Sequence, residues 1–300
     1  TVPSFVSAAD EIEEVVAVGT RREARSVGDS PAPVDIISGS DFTNQGAADL
    51  PDMIRTLVPS FNVNTQPISD AATLIRPANL RGLPPDNMLV LVNGKRRHRG
   101  AVISFLGSGI SDGAQGPDIS AIPSIALKQV EVLRDGAAAQ YGSDAIAGIL
   151  NFVYKDNAEG TQIEIRSGEY SDGDGDMYRV AANIGMPFTA DGFANVSIEL
   201  QESDATSRSV QRGDAQALYD GGNAAIWNYP NPAQVWGSPD VSDDVKLVAN
   251  IGLELDANKE FYLFGNYAER KVLGGFFFRN PTNRGGIFST DGGDTRMVLD

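Results

Sequence analysis

From Tyr178 onward the apolar residues of this chain fall on every second position, and that period governs what its second half can build. In 178–188 the even positions Tyr178, Val180, Ala182, Ile184, Met186 and Phe188 are apolar, with Arg179, Ala181, Asn183 and Gly185 between them. In 194–201 Ala194, Val196, Ile198 and Leu200 alternate with Asn195, Ser197, Glu199 and Gln201. In 245–255 the odd residues Val245, Leu247, Ala249, Ile251, Leu253 and Leu255 stand opposite Lys246, Asn250 and Glu254. These are strands with one apolar and one polar face.

The connections between them alternate in length. Gly168–Met177 is an acidic loop, Thr189–Gly192 a tight turn, Ser203–Asp244 very long and Asp256–Asn258 tight again. The next segment, Glu260–Arg270, leads into a Gly- and Phe-rich stretch. Short turns on one side and long loops on the other are the habit of outer-membrane β-barrels, whereas a soluble β-sandwich alternates without that rule. Phe188, Phe193 and Phe261 lie beside the short turns, where an interfacial aromatic girdle belongs. No apolar run approaches the eighteen or so residues of a membrane helix, which leaves a strand-built membrane protein open.

Charge and cysteine usage exclude other classes. The net charge of −16 argues against nucleic acid as a partner. The second half is the more acidic, with 11 basic against 21 acidic residues after 160 and 13 against 19 before. Acidic loops and an acidic lumen facing water reconcile that balance with a barrel. The chain has no cysteine, so neither a disulfide framework nor a thiolate metal site is possible.

Before Gly160 the pattern differs. Residues 1–8, ending in Val6-Ser7-Ala8, read as the tail of a signal peptide. Residues 9–30 are polar around the island Val15-Val16-Ala17-Val18 and read as a mobile tail. Residues 31–158 read as a compact α+β domain, and 159–300 as the first strands and loops of the barrel. Val34–Ile37 forms a strand and Ala47–Val58 a short helix ahead of Pro59. Met88–Val92 is a buried strand closed by the turn Asn93-Gly94, Gln129–Arg134 a strand stopped by Asp135-Gly136, and Ile149–Tyr154 the last strand.

Two stretches carry a family resemblance. Leu80-Arg81-Gly82-Leu83 followed by Met88–Arg96 is similar to the plug signature of TonB-dependent receptors. So is Ile122-Pro123 through Val130-Glu131-Val132-Leu133-Arg134-Asp135-Gly136-Ala137-Ala138-Ala139-Gln140-Tyr141-Gly142-Ser143-Asp144-Ala145-Ile146-Ala147-Gly148-Ile149-Leu150-Asn151, the most specific text in the chain. The resemblance implies a plug domain followed by antiparallel transmembrane β-barrel strands in a bacterial outer membrane. It also implies active transport of a scarce nutrient, siderophore-iron, oligosaccharide or similar, with box and plug facing the periplasm. Its implied partners are TonB with its inner-membrane energising complex, outer-membrane lipid and the small-molecule or oligosaccharide substrate. Glu13, Glu14, Val15, Val16, Ala17 and Val18 resemble the box that TonB grips, and a mobile β-branched segment can add as a strand to a sheet edge.

The motif residues also have local readings. Gly82, Gly94, Gly136, Gly142 and Gly148 suit turns and close backbone approach. Arg81, Arg134, Asp135 and Glu131 suit ion pairs within the plug or against the barrel lumen, with Asn93 and Tyr141 alongside. Lys95, Arg96, Arg97, His98 and Arg99 form a basic cluster expected at a loop tip, which the resemblance points toward an external binding cavity. It either attracts an anionic substrate or, the preferred reading, pairs with acidic residues of the barrel wall. Trp227, Tyr229 and Trp236 in the long loop either stack on a ligand or pack the loop. Asp172, Asp174 and Asp176 have calcium-loop spacing, but Met177 replaces the glycine and Asn183 the final acid, so an acidic hairpin is preferred.

The chain offers no Gly-x-Ser-x-Gly elbow, no metal-ligand cluster and a single histidine among four cations, so the reading is a non-enzyme without cofactor or metal. The rival is a soluble periplasmic β-rich binding or adhesion protein, a plug-like domain joined to a β-sandwich. About five barrel strands are readable, against about 22 in plugged transporters. Their unpaired edges could not persist in lipid, so further strands are expected beyond Asp300.

Overall fold

The computed structural model describes residues 15–16, 25–26, 34–46, 49–63, 68, 73–104, 109–134, 138–189, 192–223, 226, 231–256 and 259–280. The signal-peptide reading and Glu13, Glu14, Ala17, Val18, Asp135, Gly136, Trp227 and Tyr229 lie outside the described residues. In the N-terminal segment β1 (Val15–Val16) pairs antiparallel with β2 (Arg25–Ser26).

The plug begins with β3 (Val34–Ser38), α1 (Gly39–Thr43), α2 (Leu50–Leu57), β4 (Phe61–Val63) and β5 (Ala78–Leu80). It continues with β6 (Met88–Val92), β7 (Lys95–Arg96), β8 (Leu127–Leu133), α3 (Ala138–Tyr141) and β9 (Gly148–Tyr154). Strands run β3-β8-β9-β6-β7 across a mixed sheet, and β4 pairs with β5 separately. The β6–β9 pair is parallel and its other neighbours antiparallel. Every residue of β6 is buried because the sheet is covered on both sides, which explains its unbroken Met-Leu-Val-Leu-Val run. One face packs Val90, Val130, Val132, Leu150 and Phe152 under Phe42, Met53 and Ile54 of the helices. The other packs Leu89, Leu91, Leu133 and Ile149 against Val34 and Ala145.

Local chemistry sets the boundaries. The helix expected over Ala47–Val58 is confined to Leu50–Leu57, because the Asp49 carboxylate caps it by accepting from the Asp52 amide at 3.0 Å. Val58 is extended ahead of Pro59, as a residue before proline prefers. The short helix α1, not expected from sequence, is started by a reciprocal capping box between Ser38 and Asp41. Asn93 and Gly94 have φ of 47° and 73°, the left-handed pair of a two-residue hairpin turn, so Lys95 and Arg96 form the returning strand. The basic cluster therefore starts in a strand, and the loop tip is the Asn-Gly turn itself.

The second half is an open antiparallel meander of β10 (Thr161–Gly168), β11 (Met177–Pro187), β12 (Gly192–Ser203), β13 (Asp240–Asp256) and β14 (Lys259–Leu273). The loop expected to run to Asp244 ends at Asp240 and contains a helix, α4 (Gly213–Asp220). Ala215 of α4 packs with Ile226, Ala233 and Phe278 in a small core of its own.

The meander is inside out relative to a soluble sheet. Its apolar rows face outward: Ile165 is 77% exposed, Leu263 54% and Val180 46%. Its polar rows face the plug, where Arg179, Asn183, Asn195, Ser197, Glu199, Lys246 and Asn250 are buried. This is the apolar-out, polar-in order of a transmembrane barrel wall, and it contradicts the sandwich rival, which needs the apolar rows inside. Phe188 and Phe261 lie on the outer surface near the short turns. Phe193 does not join that girdle. It shares the inward parity of Asn195 and Ser197, and its ring lies where a Cβ on Gly252 would collide at 2.4 Å.

Gly148 starts β9 at φ 138°, and a Cβ there would lie 2.5 Å from the Leu133 carbonyl oxygen and 2.8 Å from Leu80 Cδ2. Replacing Gly148 with Ala therefore strains both backbone and packing, and should cost the plug about 2–3 kcal/mol. Chemical denaturation followed by hydrogen exchange in β6 and β9 measures that loss; unchanged protection would contradict it.

Candidate functional site

The candidate site is the seam where the plug meets the wall. It has a short-turn end, marked by Pro187–Gly192 and Asp256–Lys259, and a long-loop end, marked by the 169–176 and 204–239 connections. Between them lies a ladder of buried polar contacts.

Its centre is charged. Glu199 and Lys246 are direct cross-strand partners, joined at 2.8 Å, and Arg179 reaches Glu199 at 2.5 Å and Glu164 at 3.1 Å. Arg179 also donates to Ser124 Oγ of the plug at 2.6 Å. Arg166 donates to the plug carbonyls of Gln45 at 2.7 Å and Thr43 at 2.7 Å, near the end of α1. Orphan carbonyls at a helix end are natural acceptors for such a cation. Asn195 donates to Asn157 Oδ1 at 2.9 Å, and a Cβ on Gly185 would lie 2.4 Å from the Asn157 carbonyl oxygen. Only glycine lets the wall approach the plug backbone so closely.

Toward the short turns the contacts are amides. Asn93 Oδ1 accepts from the Tyr154 amide at 2.8 Å, while its Nδ2 donates to Asn250 Oδ1 at 3.3 Å and to the Tyr262 hydroxyl. Asn151 accepts from the Gly94 amide at 2.9 Å and donates to Glu131 at 3.0 Å. Glu131, expected in an ion pair, is thus held by the amides of Asn151 and Gln129 inside the sheet. Burial pushes the Tyr154 hydroxyl up to about 12 against the pull of Arg97, so it stays neutral. Val248, with Phe264 packed beside it, inserts from the wall into the plug's apolar core and closes the seam at mid-height.

The basic cluster lies elsewhere than expected. Arg96 pairs with Asp144 and donates to the Tyr141 carbonyl at 3.3 Å, and Arg99 lies 3.6 Å from Asp86 and 3.9 Å from Asp144. His98 is exposed in the same recess, and Lys95 lines a cavity at the short-turn end. Arg97 donates to Asn266 of the wall at 2.6 Å. The pairing reading holds in kind, but the acids belong to the plug, and the wall offers an amide. The turn that leads into the cluster contacts Tyr262 near the short turns, opposite to the external cavity the resemblance implied.

Other motif residues fill structural places. Arg81, at φ 56°, and Gly82, at 70°, turn the chain, and Arg81 donates to the Arg134 carbonyl at 2.5 Å. Arg134 pairs with Asp35 across β3 and β8. Tyr141 packs beside the smaller core and Gly142, at φ 91°, turns the chain after α3. Trp236 is half exposed in the long loop with its ring 6.1 Å from Phe277. Asp172 and Asp174 are turned onto Arg208, and hydrogen bonds from Arg208 hold the Asp174 carboxyl below the usual range.

Sequence reasoning did not single out Arg76, although it dominates the long-loop end. It pairs with Asp49 and reaches Asp52 at 3.1 Å, at the start of α2. Burial pushes the Asp49 carboxyl up more than Arg76 lowers it. For Asp52 burial is outweighed by Arg76, and the group sits below its ordinary value. Both acids and Arg76 line a cavity of about 230 Å³ with Thr73 and Leu74 of the plug, Gln201, Asp244 and Arg270 of the wall, and Tyr170 and Ser238 of the loops. The local signal was Asp49 and Asp52 bracketing a helix start; the distant arginine had none.

A plug domain packed against the polar face of an inside-out antiparallel sheet is the arrangement of a plugged membrane β-barrel. Residues 26–149 match the model of the TonB-dependent Receptor Plug Domain. The vitamin B12 transporter BtuB of Photobacterium profundum is 26% identical over 207 residues, covering 69% of this chain and 31% of that protein. The ferric enterobactin receptor PirA of Pseudomonas aeruginosa is 31% identical over 160 residues, covering 52% and 21%. Among solved structures, a variant of the ferric enterobactin receptor PfeA of Pseudomonas aeruginosa with enterobactin superposes with a TM-score of 0.59 at 19% identity, covering 80% of this chain and 33% of that one. Residues 26–149 are thus matched as a TonB-dependent receptor plug domain, the chain is similar to TonB-dependent receptors, and it spans a third or less of the length of these relatives.

Two substitutions test the seam. Replacing Glu199 with Gln leaves Arg179 and Lys246 buried without their shared carboxylate, and should destabilise the assembly by about 3–5 kcal/mol, measured by thermal unfolding in micelles. Replacing Arg76 with Ala strands Asp49 and leaves Asp52 only Arg55 as a partner, and should cost about 3 kcal/mol at neutral pH. In the parent protein the depressed Asp52 pKa contributes stability above its unfolded value that is lost as pH falls through the folded value. In the variant burial and mutual repulsion raise both folded pKa values, so acidification stabilises it. The gap between the two proteins should narrow from pH 7 to pH 4; a constant gap would refute the account.

Proposed function

We propose that the protein is a TonB-dependent active transporter of a scarce nutrient across the bacterial outer membrane, with its N-terminal box and plug on the periplasmic side. The observation that carries this reading is the plug clamped to a wall whose apolar face is outward and whose polar face is sealed. A bare pore needs no such seal, and a soluble protein does not expose rows of Ile, Leu and Val. The relatives named for vitamin B12 and ferric enterobactin support a scarce, large solute carried by active uptake. In this reading solute binds at the long-loop end, to plug and loops together. TonB then takes residues 13–18 as an added strand, and force on the N-terminus loosens the plug.

The pairing of Val15–Val16 with Arg25–Ser26 supports one element of this proposal, since the segment already accepts a strand partner. A TonB strand would replace β2 on the same backbone donors. Proline lacks the amide such pairing uses. Binding of a TonB C-terminal domain to the protein should therefore be detectable by calorimetry and fall at least tenfold in the Val15→Pro and Val16→Pro variants. Equal binding by parent and proline variants would remove the box from the proposal, and no binding at all would remove TonB as partner.

A further inference from the structure

The cavity at the long-loop end is lined by hydrogen-bond acceptors that have no donor among the described residues. Gln201 and Asp244 are direct cross-strand neighbours facing the plug, 7% and 4% exposed. Gln201 Oε1 and Asp244 Oδ1 have no hydrogen-bond partner among the described residues, and both residues line the cavity. Asp52 Oδ1, on the plug side, also lacks a hydrogen bond, with Arg55 beside it at 3.2 Å. A buried acceptor without a donor is costly, and native proteins keep few of them.

The cations that face these groups are engaged elsewhere. Arg76 is on Asp49 and Asp52. Arg270 donates to the Leu74 carbonyl at 2.6 Å and lies 4.0 Å from Asp118. Lys246 spans Glu199 at 2.8 Å and the other Asp244 oxygen at 3.3 Å. Arg179, the other rung neighbour of Gln201, has its terminal nitrogens on Glu164, Ser124 and Glu199. Arg208 of the loops holds Asp172 and Asp174. Of the basic cluster, Arg96 and Arg99 lie on Asp144 and Asp86 and Arg97 donates to Asn266. Arg55 stands on Asp52 Oδ1, and none of these cations donates to Gln201 Oε1 or Asp244 Oδ1.

We propose that the cavity is a recognition subsite for a cationic, hydrogen-bond-donating group of the transported solute, an ammonium or guanidinium. This rests on the transport reading above and narrows its substrate class. The volume of about 230 Å³ is below the roughly 300–1,000 Å³ of pockets that take a whole drug-sized ligand. The cavity therefore accepts one functional group while the rest of the solute lies among the loops. A group bound there meets Gln201 and Asp244 of the wall and Asp52 of the plug, so it reports occupancy to both bodies.

The test is calorimetric titration of the full-length protein in detergent micelles with 1,4-diaminobutane, using 1,4-butanediol and succinate as neutral and anionic counterparts. The diamine should bind at least tenfold more tightly than either counterpart. Asp244→Asn and Gln201→Met should each weaken it about tenfold with strand content unchanged by circular dichroism. Equal binding of the three probes, or unaltered diamine affinity in both variants, overturns the subsite. Absence of diamine binding by a preparation that still binds the TonB domain also overturns it, leaving the transport reading intact. Diamine selectivity in a protein that ignores TonB supports the subsite and counts against transport alone.

Discussion

Everything in this structure depends on a polar wall that faces protein instead of water. Arg179, Glu199 and Lys246 are each 3% exposed or less, deep in the seam. Charges so placed are tolerable only when geometry and hydrogen bonding offset their desolvation. The wall supplies part of that through the Glu199 carboxylate shared by two cations, and the plug supplies more through Ser124. The debt runs the other way as well, because Val248 and Phe264 of the wall complete the apolar core of the plug. Each body therefore finishes part of the burial of the other.

The seam is graded along its length. At the long-loop end carboxylates and Gln201 surround an open cavity. At the middle Val248 and Phe264 exclude water, and at the short-turn end Asn93 of the plug and Asn250 and Tyr262 of the wall join the two through neutral hydrogen bonds. Ions suit a place where solvent and solute enter, because water compensates them there. Amides suit a place that must hold tightly and still exchange partners, since losing one neutral bond costs only about 1 kcal/mol when water replaces it.

Much of this was legible in the residues. Period two located β11, β12 and β13 within a few positions, and the Asn93-Gly94 dipeptide located the hairpin that carries the basic cluster. The faces were legible as well, but only the fold says that the apolar one looks outward. Phe193 shows how narrow the margin is, since its odd position puts it inside, where its nearness to a short turn had suggested outside. The destinations of long side chains were not legible. Arg96 meets an acid 48 residues later in the chain and Arg76 one 27 residues earlier, and no local pattern encodes either meeting. The helix within the long loop was hidden for a related reason: its Ala215 packs with Phe278, which is distant in sequence.

The position of β3 has a mechanical consequence. It is an edge strand of five residues, paired on one side with β8, and it lies at the end of the plug that leads to the N-terminus. The opposite end of the plug continues directly into the wall, where Asn157 is pressed against Gly185. Tension on the chain ahead of Val34 therefore meets a fixed anchor and loads the β3–β8 ladder. Val34 lies at the Leu133 end of the sheet, whereas the exit from β9 at Tyr154 lies at the opposite, Leu127 end, so the two points load the ladder in shear, across all its rungs together. A strand loaded along its own axis yields only when its rungs give way together, so β3 is a fastening that resists tension on the chain ahead of it.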